Sequence, residues 1–173
     1  MMFLPSTNHI QHVSYNLKKN MIIKYLTFGI SISFISWIVG MILNIILMKT
    51  EYYKKISNLN FIESKTLNKN IGIEYFKWIV KNSFFKFFNQ KITLKDKKTD
   101  LREIRKEMTI AEIGHLIGFI FVTAIAFYKG ISNNYLFGLT IMIPNILMNL
   151  YPSLLQQENK RRIDRLIKRQ IKL

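Results

Sequence analysis

Charge-free apolar runs alternate with lysine-rich stretches along the chain, and that alternation predicts its elements. The first run, YLTFGISISFISWIVGMILNIILM at about residues 25–48, carries no charged side chain. It matches the roughly 20 residues that an α-helix needs to cross the hydrocarbon core. Lys18, Lys19 and Lys24 precede it as they would in a secretory leader. No small-residue cleavage site follows, so the reading is an uncleaved anchor. Residues 108–128 and 134–156 are two further runs of spanning length, joined by the short turn KGISNN. Pro144 and Pro152 predict a kink or break in the last one.

The polar intervals are also patterned. Residues 71–92 mix aromatics with Lys77, Lys81, Lys86 and Glu74, a charge load too costly for a membrane span. Lys77 and Lys81 share a helical face. The segment is therefore expected to be an interfacial or re-entrant helix, with aromatics among the headgroups and lysines at lipid phosphates. An amphipathic helix packed on the rest of the protein is the alternative. In KDKKTDLREIRKEM, the near-helical spacing of Asp100, Glu103 and Glu107 predicts a solvated helix leading into the second span. Residues 157–173 read as a basic helix with Ile163, Leu166 and Ile167 on one face, expected to lie on an anionic membrane surface. The predicted fold is thus a single all-α integral membrane domain over residues 1–173. It has three transmembrane helices, or four if 71–92 also crosses.

Composition narrows the classes. With 49% hydrophobic residues and a net charge of +16 over 173 residues, a basic nucleic-acid binder is one option. Several uncharged runs of bilayer length argue against it, so no nucleic-acid partner is expected. The chain has no cysteine, which excludes disulfides, thiolate catalysis, cysteine metal sites and palmitoylation. His9 and His12 lie one helical turn apart, but no further ligands for a metal stand near them. The basic tail and the charge run Lys91 to Lys106 are placed in the cytoplasm by the positive-inside rule, and the loop holding only Lys129 outside. The N-terminal side stays open: an interfacial 71–92 makes the first helix run inward, whereas Lys18, Lys19 and Lys24 argue for the reverse.

Candidate chemistry begins at AEIGH, residues 111–115. Glu112 and His115 are three apart on one helical face, inside a run made for lipid. Ionisable groups at such depth are functional candidates by default. Gly114 and Gly118 form a small-xxx-small pattern that permits close approach of another helix. In the last span, Asn145, Asn149, Pro152, Gln156 and Asn159 are spaced as one face. An antiparallel hairpin about residue 131 brings Glu112 and His115 opposite the neighbourhood of Asn149, with Lys160, Arg161 and Arg162 just beyond. Two uses of this cluster stand side by side. It can act as polar glue for the hairpin. It can also perform acyl transfer, with His115 as base assisted by Glu112, amides of Asn149 or Gln156 at an oxyanion, and basic residues at a phosphate-bearing donor. A metal site would need a second Glu-x-x-His motif, and the sequence has none; no metal and no cofactor are expected.

At these residues the sequence resembles the glycosyl-4,4′-diaponeurosporenoate acyltransferases of bacterial carotenoid biosynthesis. AEIGH matches an Ala-Glu-hydrophobic-x-His element at the start of a membrane helix. The spacing from Asn149 through Gln156, Asn159, Lys160 and Arg162 to Ile163 matches the element that ends that family's last helix. LNI at residues 43–45 and EYFKWIVKNSFFKFFNQKI at residues 74–92 add to it. Ile110, Leu116, Pro152 and Gln157 depart from the family pattern. The resemblance implies transfer of a fatty acyl group, from a donor such as an acyl-CoA, to the sugar of a glycosyl carotenoid. The expected place is the bacterial cytoplasmic membrane, as a multi-pass protein, with the C-terminus cytoplasmic by the positive-inside rule. By position, Glu112, His115, Asn149, Gln156, Asn159 and Arg162 match the family's motifs. From residue type and place, Glu112 and His115 are the catalytic candidates and Asn149, Gln156, Asn159, Lys160 and Arg162 the candidate substrate contacts. Anionic membrane lipids are the expected surface partners. A non-enzymatic membrane scaffold or accessory protein is the alternative. A third reading is a surface binder of anionic lipid or nucleic acid that works through its tail.

Overall fold

The computed structural model describes residues 7–58, 72–82 and 100–171. Among them every regular element is helical. Helix α1 (Thr7–Leu47) has 41 residues and is about 60 Å long, twice a hydrocarbon core. A turn leads to the short α2 (Tyr52–Ile56). Helix α3 (Ile73–Asn82) follows, and then α4 (Leu101–Ser132). Helix α5 (Tyr135–Asn145), a π-helical turn (Ile146–Leu150) and α6 (Tyr151–Gln170) continue one another. Three helical stretches, Ser14–Leu47, Leu101–Ser132 and Tyr135–Gln170, are long and apolar enough to cross a membrane. The remainder of 71–92 after Asn82, and the charge run before Asp100, lie outside the described residues.

Local chemistry sets the ends. Asp100 caps α4 by accepting a hydrogen bond from the Arg102 N–H at 2.8 Å. The Asn134 side chain caps α5, accepting from the Leu136 N–H at 2.9 Å. The Asn133 and Asn134 N–H groups turn back to the Lys129 carbonyl, so α4 and α5 reverse within a few residues. Gly72 enters α3 at φ 76°, a left-handed conformation that glycine adopts without a Cβ clash.

Cross-helix contacts fix how the long helices run. Tyr25 stacks on Phe137 at 4.1 Å, and Asn44 donates to the Ile110 carbonyl at 2.8 Å. Helix α1 is therefore parallel to α5 and antiparallel to α4. The end of α1, the start of α4 and the end of α6 share one side, where α2 and α3 also sit. The turn at Asn133 and the first turns of α1 share the other. The first helix thus runs toward the side that holds the end of α6.

The packing is inverted relative to a water-soluble bundle. Ser33, Ser36, Asn44, Glu112, Asn145 and Asn149 are buried between the helices, while Phe34, Ile38, Met41, Ile42, Phe127 and Leu139 point outward. In water such a surface would associate; in lipid it is solvated, while inside Asn145 and Asn149 hydrogen-bond Thr123, Ser36 and each other. The chain is an all-α membrane protein.

Two features differ from the expectation for the polar segments. The apolar face of α6 is not open to a lipid surface. Ile163, Leu166 and Ile167 pack against Leu101, Ile104 and Met108 of α4, and the Arg105 guanidinium holds Asp164 at 2.5 Å. Two apolar stripes that continue beyond the spans bury each other, and Arg162, Arg165, Lys168 and Arg169 are left facing out. Helix α3 packs on α6 through Ile73 with Leu154 and Phe76 with Tyr151, and Lys77 pairs with Glu158 instead of reaching outward. Tyr75 and Trp78 remain on its exposed side.

Helices α1 and α4 meet at Gly40. A Cβ there would lie 2.2 Å from the Gly114 carbonyl oxygen, whereas a Cβ on Gly114 meets nothing closer than the Asn44 amide at 3.9 Å. Gly40→Ala is expected to push the helices apart and destabilise by about 1–3 kcal/mol. Gly114→Ala is expected to leave stability unchanged or slightly raised. Thermal melting of the two detergent-solubilised variants checks the contrast.

Candidate functional site

The site is built on the α4 face that carries Glu112 and His115. Glu112 is 0% exposed, and its carboxylate pairs with the Lys160 ammonium of α6, itself only 4% exposed. A buried charge in a span is costly unless it is paired, and here each charge is neutralised by the other. The Lys160 ammonium also donates to the Ser57 carbonyl at 2.8 Å. One cation thereby joins α4, α6 and the turn after α2. The Gln157 side chain lies beside the same carboxylate.

One turn along α4, the half-buried His115 ring meets the Trp37 ring edge-on at 6.0 Å, with the Asn149 side chain next to it. Asn149 belongs to a chain of amides and hydroxyls. Its Nδ2 donates to Ser36 Oγ at 3.0 Å and to Asn145 Oδ1 at 2.9 Å. Asn145 Nδ2 in turn donates to Thr123 Oγ1 and to the Phe119 carbonyl, each at 3.1 Å. This network crosses all three long helices and fixes the amide that faces His115. Gly118 makes room for it: a Cβ there would stand 2.9 Å from Asn149 Oδ1.

The π-helical turn decides which α6 residues face the site. Pro152 has no N–H to offer the Met148 carbonyl one turn back, and in a regular helix its ring would collide with that oxygen. The turn from Ile146 to Leu150 widens instead, and the Met148 carbonyl accepts the Trp37 indole N–H at 3.3 Å. The extra residue in the wide turn rotates everything beyond it. After Asn145 and Asn149, the inner face continues with Ser153, Gln157 and Lys160, all buried. A strictly α-helical stripe through Pro152, Gln156 and Asn159 does not continue it.

The sequence-derived candidates are therefore distributed as follows. Glu112, His115, Asn149 and Lys160 converge. Gln156 and Asn159 are half-buried to one side, and Arg162 is exposed. Glu112 has Lys160 as its ion-pair partner, and His115 has Asn149 and Trp37 as neighbours. Sequence reasoning missed Ser36, Asn44, Ser153 and Gln157. Ser33, Ser36, Gly40 and Asn44 are spaced as one helical face in the first span, a stripe that could have flagged the α1 residues.

Tyr53 of α2 lies within the field of the Glu112 carboxylate. Its hydroxyl is buried. Burial, and secondarily the negative charge of Glu112, raise its phenol above the usual tyrosine value, so it stays a neutral donor.

A sequence model of the glycosyl-4,4′-diaponeurosporenoate acyltransferase family matches residues 49–169 of this chain. The match takes in the AEIGH element and the α6 motif and leaves out all of α1. Searches among curated proteins and among solved structures give no match.

The ion pair predicts a strongly non-additive mutant cycle. Lys160→Met leaves Glu112 buried without its cation and is expected to destabilise by about 3–5 kcal/mol. Adding Glu112→Gln is expected to recover most of that loss, because the pair is then replaced by neutral groups of similar size. Thermal melting of the two single variants and the double variant measures the coupling.

Proposed function

The chain belongs to the glycosyl-4,4′-diaponeurosporenoate acyltransferase family, and from that premise we propose that it transfers a fatty acyl group to a sugar hydroxyl of a membrane glycosyl carotenoid. The family match over 49–169 carries this reading. The buried polar centre at the family's two motifs supports it, since an intramembrane ion pair and imidazole fit a reaction site better than a passive span.

In the proposed reaction, His115 takes the proton of the sugar hydroxyl as its oxygen attacks the acyl carbonyl carbon. The new ester C–O bond forms, the bond from the acyl carbon to the donor's leaving group breaks, and the imidazolium returns the proton to that group. Asn149, held by Ser36 and Asn145, keeps the imidazole in place. Glu112 and Lys160 hold α4 and α6 in register at the site and keep its interior neutral. Gln156, Asn159 and Arg162 flank the α6 face on the side that carries the basic surface. There they suit a phosphate-bearing donor such as an acyl-CoA. That surface also suits anionic lipid headgroups. With α6 on the cytoplasmic face, the protein is a multi-pass component of the bacterial cytoplasmic membrane and its donor comes from the cytoplasm.

Mass spectrometry of lipid and pigment extracts, from cells with and without the protein, tests the reaction. The expected difference is one acyl group on a glycosyl lipid. His115→Ala is expected to remain in the membrane and to melt close to wild type, with product formation reduced by about 10²–10⁴-fold. Normal product with that variant contradicts His115 as the base. Identical extracts with and without the protein contradict acyl transfer and favour a non-enzymatic membrane role.

A further inference from the structure

A histidine base needs its ring held at one angle, and a hydrogen bond at its second nitrogen usually does this. His115 lacks that restraint: its Nδ1 is buried and has no hydrogen-bond partner among the described residues. Glu112, the residue expected to assist it, is committed to Lys160. Asn149 stands beside the ring. A second contact is aromatic. The Trp37 ring of α1 meets the imidazole at 90°, with the ring centroids 6.0 Å apart. That distance and angle belong to a favourable edge-to-face pair.

Trp37 is itself held in two ways. Its indole N–H donates to the Met148 carbonyl at 3.3 Å, and the Phe34 ring, one turn earlier on α1, meets the indole at 70° with centroids 4.9 Å apart. The Met148 carbonyl is open to this bond because Pro152, four residues on, has no N–H to return to it. Met148 also directly precedes Asn149, the other neighbour of the imidazole. One side chain therefore touches the base and is anchored to the wide turn that presents Asn149 to it. Trp37 lies in the first span, before residue 49, so it stands outside the segment that the family model matches.

We propose that Trp37 is a positioning residue of this site: tied to the π turn through the Met148 carbonyl, its indole holds the His115 imidazole at the angle from which it takes the proton. The proposal rests on the acyl-transfer reading for the reaction that the ring serves, but not for the restraint on the ring. An imidazole without this contact turns away from Asn149 and spends part of its time in orientations that do not transfer a proton. The loss then falls on the chemical step and leaves acceptor binding unchanged.

Trp37→Leu removes both the ring contact and the indole N–H, whereas Trp37→Phe keeps a ring and removes only the N–H. Trp78→Leu, the same replacement at the exposed indole of α3, is the control. In an acyl-transfer assay, Trp37→Leu is expected to lower kcat about 10²-fold with the acceptor KM unchanged. Trp37→Phe is expected to lose roughly tenfold, the equivalent of one hydrogen bond, and Trp78→Leu nothing. A second readout does not depend on turnover. His115 is the one histidine left after His9→Gln and His12→Gln, so histidine labelling reports its ring alone by NMR of the detergent-solubilised protein. The through-space contact between the His115 ring and the Asn149 side chain is expected in the wild-type site, to weaken in Trp37→Phe and to be lost in Trp37→Leu. A Trp37 that only fills space leaves that contact in place. Retention of the contact in both Trp37 variants, or wild-type kcat in both, overturns the proposal. If wild type transfers no acyl group at all, the proposed reaction fails, and the His115–Asn149 contact still decides the restraint in either direction.

Discussion

A carboxylate and an ammonium that share one buried contact set the geometry of this protein. Glu112 and Lys160 come from different ends of the α4–α6 hairpin, and neither is tolerable in an apolar interior without the other. Their contact fixes the axial register of the hairpin at the side opposite its turn. The same ammonium holds the Ser57 carbonyl, so the short helix α2 is drawn over the site by the group that neutralises Glu112. Just outside, Arg105 with Asp164 and Lys77 with Glu158 repeat the device where the helices leave the apolar zone. Those outer pairs are half-exposed and contribute less individually. The buried pair is the constraint from which the others take their spacing.

A second constraint is the close approach of α1. Gly40 against the Gly114 carbonyl lets two backbones touch, and Gly118 leaves space for Asn149 beside Ser36. The outcome is a polar column, Thr123–Asn145–Asn149–Ser36, that ends at His115. Individual hydrogen bonds between membrane helices contribute little, on the order of 0.6 kcal/mol. Their value here is orientation: an amide bonded on two sides presents a fixed face to the imidazole.

Much of this was legible in the sequence because it is local. Three long apolar runs became three long helices, and KGISNN is too short to do anything but reverse the chain. The hairpin alone brings Glu112 and His115 to the level of Asn149. The resemblance carried by AEIGH and the Asn149-to-Arg162 spacing agrees with the family match. What sequence could not supply depends on rotation and partnership. The expected stripe through Gln156 and Asn159 assumed a regular helix, and the π turn before Pro152 rotates Gln157 and Lys160 inward instead. The apolar face of the basic tail was visible, but not that α4 extends beyond the apolar zone to cover it. The Ser33–Asn44 stripe was present in the first run. Its meaning depended on the direction of α1, which basic residues on both flanks left undecided.

The central claim is that the wide turn aims Lys160, not Asn159 or Gln156, at Glu112. The chain contains no cysteine, so introduced thiols can be cross-linked without background. Three paired variants in native membranes test the claim directly: Glu112→Cys with Lys160→Cys, with Asn159→Cys, and with Gln156→Cys. Each is treated with a short thiol-specific bifunctional reagent, and intramolecular cross-linking is read by peptide mass. Preferential cross-linking of the 112–160 pair is the predicted result. Preferential cross-linking of 112–156 or 112–159 would mean that the helix is regular through Pro152, and would contradict the arrangement from which the site is built.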